Sequence, residues 1–142
     1  MSSTTFDRTG HERIDGADVV QLEVPASPAY IAVVRTAAAG LAARVDLTLD
    51  RIEDLRIAVD EACALLVRQP SLDSAPEYLR CVFSLNEASL SVDVSGPLTT
   101  LPDTSAFAWA VLSALVDSLE SGDQDGGTWL RLVVRRGTGQ WS

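Results

Sequence analysis

The sequence predicts an α+β two-layer sandwich, in which one antiparallel or mixed sheet carries its helices on a single face. The first observation is the order of patterns along the chain. Segments with alternating apolar residues and segments with helical apolar spacing follow one another as β-α-α-β-β-α-β. The second is composition, since 142 residues with 46% hydrophobic and 22% charged side chains are typical of one globular domain. We expect that domain to span residues 18–142, after a polar, disordered N-terminal tail over residues 1–17.

The first strand and the first helix are predicted within residues 18–45. Alternating Val20, Leu22 and Val24 indicate a half-buried strand. Ser27 is a suitable N-cap, and Pro28 a suitable first residue, for the helix that follows. Apolar residues lie on two sides of this helix, so it is either enclosed in the core or presents one side to a partner. One side consists of Tyr30, Val33, Val34, Ala37 and Leu41, and the other of Ile31, Ala38, Ala42 and Val45.

A second helix is predicted over residues 48–69. Thr48 or Asp50 is its expected cap, and Pro70 follows its expected end. Its apolar residues fall into one stripe at 100° per residue, which indicates a single core-facing side. That side consists of Ile52, Leu55, Val59, Ala62 and Leu66.

Two adjacent carboxylates, Asp60 and Glu61, lie on opposite flanks of this stripe. Asp60 is four residues from Arg56, a spacing that predicts an ion pair on the helix surface. Glu61 is either a solvated side chain or the edge of a pocket between the helix and whatever covers it. Helical periodicity alone leaves both interpretations open.

The second half of the chain predicts a hairpin, a helix and a last strand. Alternating segments at 78–86 and 88–96 are separated by a tight turn. A helix is expected over residues 105–120, and TWLRLVVRR is expected to form the last strand after the turn-forming SGDQDGG. Trp109 and Val116 lie off the main stripe of this helix, where they form either an aromatic-anchored binding patch or part of the core. The main stripe consists of Ala108, Val111, Leu112, Leu115 and Leu119.

Composition argues against several classes of function. The net charge is −9 and all eleven Lys and Arg residues are arginines, so we expect neither direct binding of nucleic acid nor lysine chemistry. The one histidine, His11, lies in the tail, which makes a catalytic triad implausible. Cys63 and Cys81 are expected to be buried, reduced thiols, too few for a metal site. Without an apolar run of about 18–20 residues or an apolar leader, we expect no membrane contact and a cytoplasmic protein.

The run VPASPAYIAVVRTAAAGLAARVDLTLDRIEDLRIAVDEACALL resembles the N-terminal half of the RsbW-type anti-sigma factors. These are serine-protein kinases with the GHKL ATPase fold that histidine kinases share. The resemblance extends over roughly residues 19–135 and implies a mostly antiparallel sheet with helices on one face. The matching residues are Pro25, Tyr30, Ile31, Arg35, Ala58, Val59, Asp60, Glu61 and Ala62, which fit the family pattern in order and spacing.

In this family the glutamate that Glu61 matches is a general base, which activates a hydroxyl or water for attack on the γ-phosphate of ATP. An asparagine one turn later holds the Mg²⁺ that bridges the phosphates. Here that position is Leu65, whose side chain has no oxygen to offer a hard cation.

Two further nucleotide elements of the family differ in this sequence. The aspartate that hydrogen-bonds the adenine amino group is replaced by Gly96, and Asp93 is on the opposite face of its strand. The glycine-rich lid is replaced by LTTLPDTSAFAW, which has no glycine. Of the nucleotide site, Glu61 and the pair Gly127 and Thr128 remain. We therefore expect no bound cofactor, although the resemblance itself implies ATP and Mg²⁺.

The resemblance implies an anti-sigma factor that sequesters an alternative sigma factor and is released by a STAS-type anti-anti-sigma protein. It also implies a homodimer. We expect Arg35, Trp109 and Val116 to contact the partner, and an acidic surface suits a partner that itself binds DNA. Two alternatives remain open. One is an active serine/threonine kinase that phosphorylates its antagonist, and the other is a regulatory domain that binds a protein other than sigma.

Overall fold

An antiparallel five-stranded sheet with three helices on one face makes up most of the described chain. The computed structural model describes residues 5–6, 12–13, 17–67, 75–97, 105–124 and 127–137. The order in the sheet is β3-β4-β5-β7-β6, and every pairing among the described strands is antiparallel. This confirms the predicted α+β sandwich and makes its sheet antiparallel rather than mixed. The elements are β1 (Thr5–Phe6), β2 (Glu12–Arg13), β3 (Asp18–Pro25), α1 (Pro28–Arg44), α2 (Leu49–Leu66), β4 (Tyr78–Leu85), β5 (Ser89–Gly96), α3 (Ser105–Leu115), β6 (Ser118–Gln124) and β7 (Gly127–Arg135).

The core lies between α2 and the centre of the sheet. Strands β4, β5 and β7 alternate between buried residues facing the helices and half-buried residues on the opposite face, because successive side chains in a strand point to opposite sides. Helix α2 contributes the predicted stripe, of which four residues are fully buried and Ile52 packs at the margin. The fully buried residues of α2 are Leu55, Ala58, Val59, Ala62, Cys63 and Leu66.

Helices α1 and α2 form an antiparallel pair whose boundaries follow the predicted capping signals. The Ala29 N–H donates to Ser27 Oγ, and Pro28 occupies the first turn of α1. The Arg51 N–H donates to Thr48 Oγ1, so the cap of α2 is Thr48 rather than Asp50. Between the helices Asp46 has φ of 57°, a left-handed conformation that aspartate tolerates better than most residues. Helix α2 ends at Leu66, before the predicted end at residue 69.

The prediction of a helix over residues 105–120 is wrong at its C-terminal end. Helix α3 ends at Leu115, and the chain turns at once into the edge strand β6. The Asp117 N–H donates to the Val133 carbonyl at 2.9 Å, which begins the pairing of β6 with β7. Leu119, assigned to the helical stripe, instead lies opposite Leu132 in the sheet. Pairing with the free edge of β7 thus overrides the local helical spacing, because it satisfies backbone groups of both strands.

Residues 1–17 include the short strands β1 and β2, which pair with each other so that Thr5 lies opposite Arg13. The disordered tail and the domain boundary at residue 18 stay predictions. Among the described residues no helix is long and apolar enough to cross a membrane.

Candidate nucleotide-position site

The positions that carry nucleotide chemistry in the resembling family converge where the C-terminal end of α2 covers the sheet. Gly96 at the end of β5 and Thr128 at the start of β7 are direct partners in the strand ladder. Strand alternation places both on the face that α2 covers. Leu66, the last residue of α2, contacts Gly96. The fold therefore brings together residues that are 30 or more positions apart in sequence.

The helix-facing side of Gly96 is filled by α2. A Cβ atom added there would lie 2.9 Å from the Leu66 carbonyl oxygen and 3.0 Å from Leu66 Cβ. It would also lie 3.1 Å from a methyl carbon of Leu79, which is fully buried. A glycine in a strand is typical of such a close approach by another backbone. An aspartate side chain therefore does not fit this position in the described structure.

Thr128 is retained from the family pattern, but its hydroxyl is used within the protein. The side chain is buried, with 2% of its surface exposed, and Oγ1 donates to Asp123 Oδ1 at 3.1 Å. Gly127 pairs with Gln124 at the same end of the hairpin of β6 and β7. The two remnant residues of the nucleotide pattern thus close the end of this hairpin.

Glu61 and Leu65 lie on the same flank of α2, one turn apart. Glu61 is exposed, and whether it borders a pocket stays a prediction. Leu65 is half-buried and packs against the core. No group of three or more His, Cys, Asp or Glu residues suited to a metal ion occurs within the described ranges. The role of Glu61 as a general base stays a prediction.

The carboxylate of Asp60 binds α1, not its own helix. Arg35 Nη1 donates to both Asp60 oxygens, at 2.9 and 3.0 Å. The predicted pair of Asp60 with Arg56 is wrong, and Arg56 instead pairs with Glu53 at 3.6 Å. The reason is that α1 packs across α2 and brings a guanidinium to the half-buried carboxylate. Arg35 Nε is buried and has no hydrogen-bond partner among the residues that the structure describes.

Asp93 lies on the face of the sheet away from the helices, as the strand register predicts. It accepts hydrogen bonds from Arg131 Nε and Nη2 at 2.8 and 3.0 Å. This bonding raises the pKa of Arg131 above its usual value. Asp93 therefore does not substitute for the missing adenine ligand.

The three residues predicted to contact a partner lie in different environments. Arg35 is half-buried in its ion pair, Trp109 packs partly buried against the core, and Val116 is buried. Their role in partner binding stays a prediction. Phe107 of α3 was not predicted as a partner-binding candidate, although its side chain is 78% exposed. The available signal was its position next to Ala108, off the stripe that faces the core.

Cys63 of α2 and Cys81 of β4 are both buried and free, which confirms the prediction of two reduced core thiols. They meet between the helix and the sheet. The hydrogen bond between the thiols, followed by burial, raises the pKa of Cys63 far above its usual value. A protonated, buried thiol is a packing residue rather than a nucleophile.

Comparison with known proteins matches this fold. The family model of the histidine kinase-like ATPase domain matches residues 24–134. The anti-sigma-F factor RsbW of Mycobacterium tuberculosis is 31% identical over 123 residues, which cover 85% of this chain and 70% of that protein. The serine-protein kinase RsbW of Bacillus subtilis is 36% identical over 81 residues, 57% of this chain.

The matched segments span about half the length of two Bacillus relatives, 51% of the B. subtilis protein and 49% of the B. velezensis one. A crystal structure of the RsbU and RsbW domains of an M. tuberculosis protein superposes with a TM-score of 0.64 at 16% identity. That superposition covers 83% of this chain and 32% of the other. The superposition shows the shared fold, and the family model and the relatives show the family. The chain belongs to the RsbW-type group of the histidine kinase-like ATPase family.

Proposed function

We propose that this protein is an anti-sigma factor, which binds an alternative sigma factor and keeps it from RNA polymerase core. In this proposal a STAS-type anti-anti-sigma protein competes for the anti-sigma factor and releases sigma. Support comes from membership of the RsbW-type group and from relatives named as an anti-sigma factor and as serine-protein kinases. We further propose that the protein acts in the cytoplasm as a homodimer and binds no nucleic acid itself.

The observation that carries the proposal is the contact between Leu66 and Gly96. It leaves no space for an adenine-binding carboxylate, and Leu65 offers no Mg²⁺ ligand. We therefore propose that ATP binding is weak or absent, and that protein binding is the function that the fold retains.

The outer side of α1 is a suitable surface for protein binding. From Pro28 to Ala43 the one charged residue is Arg35, and Asp60 holds its guanidinium. Tyr30 and Val33 are exposed on this helix. An uncharged helical face with exposed large apolar residues is typical of an interface, either with a partner or between two copies of the chain.

Acidic residues are exposed on α2, the helix that packs against α1. Asp50, Glu53 and Glu61 are exposed, and the chain as a whole carries a charge of −9. A sigma factor presents basic surface to DNA, so charge complementarity favours its association with an acidic inhibitor. The electrostatic part of this binding is screened by salt.

The test is binding of purified alternative sigma factors from the native host, together with inhibition of transcription by the corresponding holoenzyme. We expect binding to weaken about tenfold or more between low and high salt. Val33→Asp places a charge on the uncharged side of α1 and should reduce binding. Ser121→Asp is the matched control, because β6 is at the sheet edge opposite β3 and Ser121 is exposed. Failure of every host sigma factor to bind contradicts the proposal.

One observation favours an alternative, an active serine/threonine kinase. Glu61 is exposed on a rigid helix at the position of the family's general base, where a substrate hydroxyl has access to it. The test is transfer of radiolabelled phosphate to the antagonist by the wild-type protein and by Glu61→Gln. Transfer that is lost in Glu61→Gln supports the kinase and contradicts the proposal of weak or absent ATP binding.

A further inference from the structure

We infer that partner exchange in this protein is independent of nucleotide, because α2 itself occupies the place of the adenine anchor and so closes the site. This inference rests on the proposed function and specifies how it is regulated. Sigma factor and antagonist then compete by concentration and affinity alone, with no phosphate transferred by this chain.

The closure is made by atoms that cannot rotate away. Two of the three atoms nearest to a Cβ on Gly96 are the Leu66 carbonyl oxygen and Cβ, both fixed by the backbone of α2. The third belongs to Leu79, a fully buried side chain with no free space to move into. Space at this position therefore requires displacement of the C-terminal end of α2.

Helix α2 is fixed along its length. Arg51 near its start donates to Asp117 in the connection before β6, and Asp60 accepts from Arg35 of α1. Between and beyond these contacts its inner side is fully buried. A shift of the helix end breaks packing against β5 and β7, so opening this position disturbs the whole helical layer.

The remaining nucleotide contacts do not compensate for this closure. Leu65 cannot ligate Mg²⁺, and the hydroxyl of Thr128, directly opposite Gly96, is bonded to Asp123. Without a held γ-phosphate there is no phosphoryl donor for the antagonist. Release of sigma then follows mass action: it rises with the concentration of antagonist and reverses when that concentration falls.

The first arm of the test measures nucleotide binding by the full chain without any partner. Equilibrium dialysis with millimolar Mg-ATP and Mg-ADP should show no binding by the wild type, and none by Leu65→Asn, which restores the metal-ligand residue but not the space. An RsbW-type kinase that binds ATP is the positive control. Micromolar binding by the wild type or by Leu65→Asn overturns the inference.

The second arm measures the closure itself by thermal unfolding. Gly96→Ala should lower the Tm by several degrees or prevent folding, whereas Gly40→Ala should leave it unchanged or raise it, since nothing lies within 4 Å of a Cβ at Gly40. Equal Tm values for the two variants would show that α2 gives way easily, and this result also overturns the inference.

The third arm uses the partners. Displacement of bound sigma by rising antagonist should follow the same curve with and without Mg-ATP, and the mass of the antagonist should not change. A shift of the curve by Mg-ATP, or a phosphorylated antagonist, contradicts the inference. Absence of any sigma binding contradicts the proposed function alone, because the first two arms are read on the isolated protein.

Discussion

The ion pair between Arg35 and Asp60 gives the sharpest test of how the helical layer is held together. Arg35 Nη1 donates to both carboxylate oxygens at 2.9 and 3.0 Å, and the two side chains are 33% and 38% exposed. A fully exposed pair contributes about 0.2–1 kcal/mol, and hydrogen bonds to charged groups contribute about 1.5–3 kcal/mol when they are buried. Since a third of each side chain is in solvent, we expect Asp60→Ala to lower the free energy of unfolding by about 1–2 kcal/mol.

Asp60→Ala has a second cost, because it leaves a half-buried guanidinium without its carboxylate. Arg35 Nε is already buried with no hydrogen-bond partner among the described residues, and Nη1 then loses both of its bonds. Asp60→Asn keeps an acceptor oxygen but removes the charge, and it should lose about half as much as Asp60→Ala. A loss of 1 kcal/mol corresponds to about 3–4 °C in Tm for a chain of this size.

The assay is urea unfolding of a double-mutant cycle with Arg35→Met and Asp60→Ala, at low and at high salt. We expect a coupling energy near 1 kcal/mol that decreases with salt (about 0.5–1.5). The matched control is Glu53→Ala, which breaks the more exposed pair of Glu53 with Arg56 at 3.6 Å and should change stability by less than about 0.5 kcal/mol. Equal losses for Asp60→Ala and Glu53→Ala would refute the argument that the half-buried position strengthens the pair between the helices.

Three other perturbations test separate parts of the fold. Asp117→Ala removes the acceptor of both the Arg51 guanidinium and the Arg135 backbone N–H, each at 2.6 Å, so urea unfolding should show a loss of about 1.5–3 kcal/mol with partial recovery in Asp117→Asn. Gly122→Ala brings a Cβ within 2.6 Å of the Trp129 ring and should cost about 1–3 kcal/mol with a change in indole fluorescence; unchanged fluorescence and stability contradict this packing. The raised pKa of Cys63 keeps its thiol protonated in the folded state. The free energy of unfolding therefore keeps its full value below the pKa of the unfolded thiol, near 9.0, and decreases as the pH rises above it. Cys63→Ala should remove a slope of about 1.4 kcal/mol per pH unit there, measured by urea unfolding across this range.

Local patterns were sufficient to predict the core because they repeat within each element. The apolar stripe of α2 and the alternation of β4 and β5 indicate which side of each element is buried. The caps Ser27 and Thr48 indicate where the helices begin. Edge strand β6 could not be found in this way. Its sequence SLESGDQ lacks a run of alternating apolar residues, and its conformation depends on pairing with β7.

The sequence predicted which residues lie at the site but not which atoms they contact. Resemblance located Gly96, Leu65 and Thr128, and the structure places Gly96 opposite Thr128. The approach of Leu66 to Gly96 joins residues 30 positions apart, and the Arg35 bond to Asp60 joins residues 25 apart. Periodicity describes one helix at a time, so it paired Asp60 with Arg56 on the same helix and could not detect a competing guanidinium on α1.

The packing at Gly96 also predicts that no single substitution restores the nucleotide position. Glycine in the middle of a strand costs about 0.5–1 kcal/mol relative to alanine when nothing approaches it, and at a strand end the conformational freedom of glycine is likewise unfavourable. Here it permits the α2 backbone to lie within 2.9 Å of the position of a Cβ, and Leu66 packs with no exposed surface at the same point. The glycine and the helix end therefore form one packed unit. Gly96→Asp alone produces a clash with α2. Leu65→Asn alone adds a metal ligand to a site that α2 still closes. We therefore expect neither substitution to restore ATP binding unless α2 also moves. This coupling is the physical basis of the nucleotide-independent partner exchange that we propose.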